Sequence, residues 1–155
     1  MNVKKFLQQH DVAFDLVEHR PTQDARSLAQ AVHVSPAEVA KTVLLKLNGG
    51  HSFAVAVLPA SRYVDLDKAG EALGVRELEL ATEREVEEHC PDCEVGALPP
   101  FGKQYDMETY MDASLAEDQE IVFDGNTHSE AFRISMNDFL TLEEPEIVSL
   151  ASEEF

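Results

Sequence analysis

The sequence predicts a single α/β domain, and three observations carry that prediction. Its 155 residues suffice for one hydrophobic core that buries roughly two-thirds of the unfolded surface without disulfides. Helical and extended patterns alternate along the chain with no linker, internal repeat or low-complexity tract between them. Residues 41–47 (K-T-V-L-L-K-L) and 52–58 (S-F-A-V-A-V-L) flank Asn48-Gly49-Gly50-His51, the pattern of a β-hairpin. Those strands are apolar over most of their length, which places them at the centre of a sheet covered on both faces.

Taken in order, Val3, Phe6, Leu7 and His10 recur at helical spacing, and Phe14, Leu16 and Val17 lead an extended segment that ends at Glu18-His19-Arg20-Pro21. Asp24 is placed to cap a second helix carrying Leu28, Ala29, Ala31 and Val32. Ser35-Pro36-Ala37-Glu38 has the capping-box pattern with proline at the first helical position, so a short third helix is expected. After the hairpin, Asp65 or Asp67 caps a helix that Gly74 ends, residues 75–80 read as a short strand, and Thr82-Glu83-Arg84-Glu85 opens a helix toward Cys90.

That helix delivers the chain to residues 94–102, E-V-G-A-L-P-P-F-G. Gly96 and Gly102 admit positive φ, while Pro99 and Pro100 fix their own φ and hold the preceding residues extended, so the loop is stiff and exposes backbone amides. Beyond it, residues 108–112, 120–124 and 131–136 alternate as strands, with Gly125-Asn126-Thr127-His128 turning between the last two. Asn137 or Asp138 is positioned to cap a brief helix, and residues 146–150 form a closing strand after Pro145. The domain is expected to run over 1–151, with 152–155 a frayed tail.

Charge and motifs narrow the function. Thirty acidic against 12 basic residues give a formal net charge of −18, which disfavours DNA and any broad polyanionic surface. A locally basic pocket can still accept a phosphate, because charges beyond a Debye length of about 8 Å are screened. No apolar run approaches the ~20 residues of a membrane span, and the polar N-terminus lacks a signal-peptide core, so a cytoplasmic protein is expected. Cys90-Pro91-Asp92-Cys93 is a lone C-x-x-C: structural zinc needs further ligands, and a thioredoxin-like pair opens a helix where this one closes it. Neither a metal nor a cofactor is expected. G-x-S-x-G, P-loop, G-x-G-x-x-G and H-E-x-x-H patterns are missing from the sequence. Lys41, at the mouth of a buried strand, is either anchored by a carboxylate or aimed into a pocket, and His19 and His128 each end a predicted strand beside turn residues.

Four segments, E-H-x-P at 18–21, A-K-T-V-L-L at 40–45, G-A-L-P-P-F-G at 96–102 and G-N-T-H-S-E-A at 125–131, resemble in order and spacing the YbaK/prolyl-tRNA synthetase-associated domain family. The resemblance covers nearly the whole chain. It implies an α/β (α+β) fold with a central mixed, barrel-like sheet flanked by helices, and a freestanding deacylase that hydrolyses the ester of mischarged aminoacyl-tRNA in trans. On the family's motifs the catalytic candidates are Lys41, Gly96, Pro100 and His128; the same segments supply His19, Thr42, Ala97, Leu98, Phe101, Gly102 and Asn126 as substrate contacts. Asp24 stands where the family usually has threonine and Gln23 where it often has an aromatic residue, departures that bear on substrate choice more than on fold.

Ester hydrolysis suits these residues. It needs a water, a stabilised oxyanion and a pocket for the amino acid, while a strong side-chain nucleophile is dispensable because the ester is already activated. Backbone amides near Gly96 are candidate oxyanion donors, each worth ~2.7–4 kcal/mol of barrier. Lys41 can neutralise the terminal phosphate or hold the substrate carbonyl, and His128 can position substrate or water. The resemblance implies that the substrate's ribose hydroxyl and an ordered water handle the protons. Lys41, Lys46, Arg62, Lys103 and Arg133 are expected to form a small basic mouth for the single-stranded acceptor 3′ end, with weak, salt-sensitive tRNA binding helped by a synthetase. The acidic surface supports a second expectation, a non-catalytic module of the same fold that binds a small molecule or a protein.

Overall fold

A computed structural model describes residues 2–19, 25–32, 35–94 and 96–152. Gln23, Asp24 and residues 153–155 lie outside them, so the cap expected at Asp24 and most of the expected tail do too. Helix α1 (Val3–Gln9) starts at Asn2, whose side chain accepts the Lys5 N–H at 3.0 Å, and buries Val3, Phe6 and Leu7. Strand β1 (Asp15–Glu18) and helix α2 (Ala25–Ala31) follow. The third helix expected is a single 3-10 turn (Pro36–Glu38), because the Ser35 hydroxyl accepts the nearer Ala37 N–H instead of closing a full capping box.

The hairpin forms as read, with β2 (Ala40–Leu47) and β3 (Ser52–Pro59) paired over their whole length. Helix α3 (Leu66–Leu73) is capped by Asp65 and ended by Gly74 at φ 69°. Strand β4 is confined to Leu78–Leu80, and α4 (Glu83–His89) carries both bonds of the Thr82/Glu85 capping box. After a 3-10 turn (Gly102–Tyr105) come β5 (Glu108–Asp112), α5 (Ala113–Ala116), β6 (Glu120–Asp124), β7 (Glu130–Ser135), α6 (Met136–Glu143) and β8 (Glu146–Val148). Ser135, not Asn137 or Asp138, caps α6 by accepting the Asp138 N–H at 3.0 Å, since β7 runs directly into the helix.

The strands form a five-stranded sheet, β4-β2-β3-β5-β8, and a three-stranded antiparallel sheet, β1-β7-β6. The larger one is mixed: β4, β2 and β3 are antiparallel, whereas β5 and β8 add in parallel. Among the described residues the barrel is not closed. Among those residues the sheets touch through one parallel bridge, Val39 to Val122, and the Val39 carbonyl accepts the Ala60 N–H at 2.9 Å. The main core joins both sheets, with Leu44, Val55, Val57 and Met111 from one and Ile121, Phe123, Phe132 and Ile134 from the other. A second core covers the far face of the large sheet, where Leu45, Ala56 and Leu58 meet Ala69 of α3 and Leu150. Burial on both faces explains why β2 and β3 read as nearly continuous apolar runs. Among the described residues no helix is long and apolar enough to cross a membrane.

Asp112 ties the chain's end to this frame. Its buried carboxylate accepts the Leu150 and Ala151 N–H groups, both at 2.9 Å, and the Ser114 N–H and hydroxyl. Burial pushes its pKa up, but the Ser114 hydroxyl and the three amides outweigh it and hold the group below the ordinary aspartate value. A depressed native pKa gives stability that is present above the unfolded-state value and lost as pH falls through the native one. Asp112→Ala should therefore cost about 3 kcal/mol at neutral pH, and denaturant titrations should show the gap to wild type closing as pH drops below the ordinary aspartate range. A gap that stays constant into acid would contradict this.

Candidate active site

The Gly/Pro loop is anchored at one end and presented at the other. Gly96 is exposed with φ 86°, whereas Ala97 through Gly102 are buried. Phe101 is a core residue, its ring 5.1 Å from Phe6, 5.5 Å from Phe123 and 5.6 Å from Phe139. Gly102 is glycine for a reason other than positive φ: a Cβ there would lie 2.5 Å from Thr109 Oγ1. Its N–H donates to that oxygen at 3.0 Å, and Thr109 donates onward to buried Glu143 at 2.5 Å. Burial pushes the Glu143 carboxyl up, against the opposing bonds from Thr109 and the Lys103 N–H. Phe101 and Gly102 thus root the loop. Nearer its tip the Ala97 N–H turns inward to the Glu94 carbonyl at 3.0 Å, while the Gly96 and Leu98 amides have no acceptor among the described residues.

The β6–β7 turn closes on this loop through a short set of bonds. Glu94 N–H donates to the Asn126 carbonyl at 2.8 Å, and the Glu94 carboxylate accepts the His128 N–H at 3.2 Å. Asn126, left-handed at φ 74°, donates its amide to Cys93 Sγ at 3.3 Å and accepts the Val3 N–H at 3.2 Å. The turn packs so closely that a Cβ on Gly125 would overlap the Phe132 ring. His19 N–H donates to the Ser129 carbonyl at 2.9 Å, which brings the end of β1 to the same place. His19 Nε2 and His128 Nδ1 are both shielded from solvent. The structure therefore gathers Gly96, Asn126, His128 and His19 at one end of the small sheet. Cys93 and Glu94 do much of the gathering; in the sequence Cys93 stands out as half of a lone C-x-x-C and Glu94 as the first residue of the loop, neither as a tether.

Lys41 and Thr42 approach from the large sheet. Because the Val39–Val122 bridge is parallel, the start of β2 runs in the direction in which β6 runs toward the turn. Thr42 lies on the β2 face that Ala40 and Leu44 give to the main core, and its Oγ1 is buried with no hydrogen-bond partner among the described residues. Lys41 lies on the other face, where Nζ donates to the Arg62 carbonyl at 3.2 Å and stands 4.4 Å from the centre of the Tyr63 ring. The five-residue basic mouth does not assemble: Lys46 pairs with Glu85 at 3.1 Å, Arg133 with Asp15 at 3.2 Å, and Lys103 leaves with the 3-10 turn toward Leu47 and Ser52. Strand alternation and local carboxylates scatter these charges; of the five, Lys41 meets Arg62 through the Arg62 main-chain carbonyl.

Cys90 and Cys93 are free thiols, and burial, then proximity to Cys93, pushes Cys90 up to about 12. A group held that far above neutrality stays protonated and unreactive. Among the described residues no cluster of three or more His, Cys, Asp or Glu side chains could hold a metal ion. Asn126 tests the site's architecture. Asn126→Gly keeps the left-handed backbone but loses the side-chain bonds, and should cost about 1–2 kcal/mol. Asn126→Ala adds the left-handed penalty, about 1–2 kcal/mol more, with faster hydrogen exchange at the Glu94 and His128 amides. Equal losses for the two variants would refute the backbone requirement.

Comparison with known proteins bears on the family and the fold. The aminoacyl-tRNA editing domain family matches residues 19–142. The hypothetical protein APE2540 superposes with a TM-score of 0.87 at 19% identity, covering 97% of this chain and 99% of its own. A candidate trans-editing enzyme for prolyl tRNA synthetase superposes at 0.82 with 25% identity, covering 97% and 95%. A signal-transduction candidate from Marinobacter aquaeolei VT8 carries the same fold within a longer chain, at a TM-score of 0.72 and 16% identity, with 97% of this chain matching 30% of that one. With most of its length matched, including His19, the β2 start, the Gly/Pro loop and the β6–β7 turn, this chain belongs to the aminoacyl-tRNA editing domain family.

Proposed function

We propose that this chain is a cytoplasmic, trans-acting hydrolase that removes the amino acid from mischarged tRNA. The observation that carries the reading is the clasp itself: the Gly96 and Leu98 amides have no acceptor among the described residues and stand next to a turn bearing Asn126 and His128. Water attacks the ester carbonyl, a C–O bond to water forms as the bond to the ribose oxygen breaks, and the ribose oxygen leaves with a proton. The developing oxyanion is met by the loop amides. Substrate ribose and water move the protons, so no side-chain base is required.

Within this reading Lys41 meets the terminal phosphate or the substrate carbonyl, and Pro100 stiffens the loop. Ala97, Leu98, Thr42 and His19 line the amino-acid pocket, with Phe101 and Gly102 fixing its floor. His128 and Asn126 orient the substrate end. Likeness to a protein described as acting for prolyl tRNA synthetase supports prolyl acceptors as the first substrates to try, and a synthetase as a carrier.

Deacylation of prolyl and threonyl acceptors carrying alanine, serine or cysteine tests the reading. Wild type should release one of them rapidly, and Lys41→Ala should slow release about 100-fold or more. No release by folded wild type would leave the non-catalytic binding module, which the net charge of −18 favours. Salt gives a separate check. For two phosphate contacts, as Lys41 and Arg62 would make in this reading, a single-strand slope of about −1.4 is expected, a roughly sevenfold loss of affinity from about 50 to 200 mM salt. A much steeper loss would mean wider contact with the tRNA body.

A further inference from the structure

Glu143 is a buried carboxyl that the deacylation steps leave unused. It is the last residue of α6 and 1% exposed. Two local effects disfavour an acid there: the helix dipole puts its negative end at that terminus, and burial penalises charge, which pushes the carboxyl up. Neither helix formation nor core packing accounts for a glutamate at this position. Its hydrogen bonds do. Oε2 accepts the Thr109 hydroxyl at 2.5 Å and the Lys103 N–H at 3.2 Å, and Thr109 Oγ1 accepts the Gly102 N–H at 3.0 Å. Two consecutive main-chain amides at the root of the Gly/Pro loop thus end on one oxygen, one directly and one through a hydroxyl.

From that root the chain is stiff toward the tip. The Gly102 carbonyl accepts the Met107 N–H at 3.0 Å, the Phe101 ring sits in the aromatic cluster, and the Phe101 N–H closes a tight turn onto the Pro99 carbonyl at 2.9 Å. Pro99 and Pro100 fix their own φ, and residues 97–102 are all buried. A shift at Gly102 therefore passes to Leu98 with little slack to absorb it. We propose that Glu143 is a positioning residue for deacylation: through Thr109 and the Lys103 amide it sets the seat of the Gly/Pro loop, and so where the Leu98 and Gly96 amides meet the oxyanion. The role rests on the deacylase reading. An oxygen that accepts both donors performs it, so glutamine should serve in place of glutamate and leucine should not.

Deacylation kinetics and amide-resolved NMR of wild type, Glu143→Gln, Glu143→Leu and Thr109→Val test this, each below its thermal midpoint. Thr109→Val is nearly isosteric and removes only the relaying hydroxyl, so it decides the matter even where Glu143→Leu does not fold. Donors that meet the oxyanion act in the transition state more than on bound substrate. Thr109→Val and Glu143→Leu should each lower kcat about tenfold with KM within about twofold, and Glu143→Gln should keep kcat within about twofold of wild type. The Gly96 and Leu98 amide signals should shift in Thr109→Val and Glu143→Leu and stay in place in Glu143→Gln. An active wild type with an equally active Thr109→Val, or with Glu143→Gln as slow as Thr109→Val, would overturn the positioning role and leave the deacylase reading intact. A wild type that releases no amino acid would overturn both, since the loop amides would then have no oxyanion to meet.

Discussion

Glu94 holds two loops with one residue, and the candidate site depends on that. Its N–H reaches the Asn126 carbonyl and its carboxylate takes the His128 N–H, so the Gly/Pro loop and the β6–β7 turn cannot separate without losing both bonds. Neither loop has a regular ladder of its own to hold it. Core residues support the clasp from beneath, with Phe101 at the centre of an aromatic cluster and Gly125 against Phe132. Precision at the loop tip comes from the rigidity of packed interiors.

The two sheets divide the work. The small sheet carries the clasp and His19; the large sheet delivers Lys41 and Thr42 from β2. Among the described residues one parallel bridge, at Val39, joins them. An open seam of this kind leaves loops where a closed barrel would place ladder hydrogen bonds, and loops on a rigid scaffold are where binding groups collect.

Much of the fold was legible in the sequence because its signals are local. The Asn48–His51 turn, the Asp65 cap with Gly74, and the Thr82/Glu85 box each specify structure within a few residues, and each formed as read. The sheet split was not legible, since pairing between segments far apart in the chain, as at the Val39–Val122 bridge, leaves no local signal. Ser135 is hidden as a cap in the sequence because it also ends a strand. For the site, motif order pointed to the Gly/Pro loop and the turn, and the geometry joins them. Gly102 illustrates the limit: glycine suggested backbone freedom, but contact with Thr109, seven residues on, requires it. The basic mouth failed for a related reason, because composition cannot tell which lysines and arginines are already paired with carboxylates.

A charge of −18 and a polyanionic substrate are compatible if contact is confined to the acceptor end, where a few fixed groups act at short range. The central claim is that the clasped loop receives the aminoacyl ester. An amide-resolved NMR titration with a non-hydrolysable 3′-amide analogue of alanyl-adenosine tests it most directly. The account predicts that the largest shifts fall on the Gly96, Leu98 and His128 amides. Saturable shifts centred elsewhere, with those three unmoved, would contradict it.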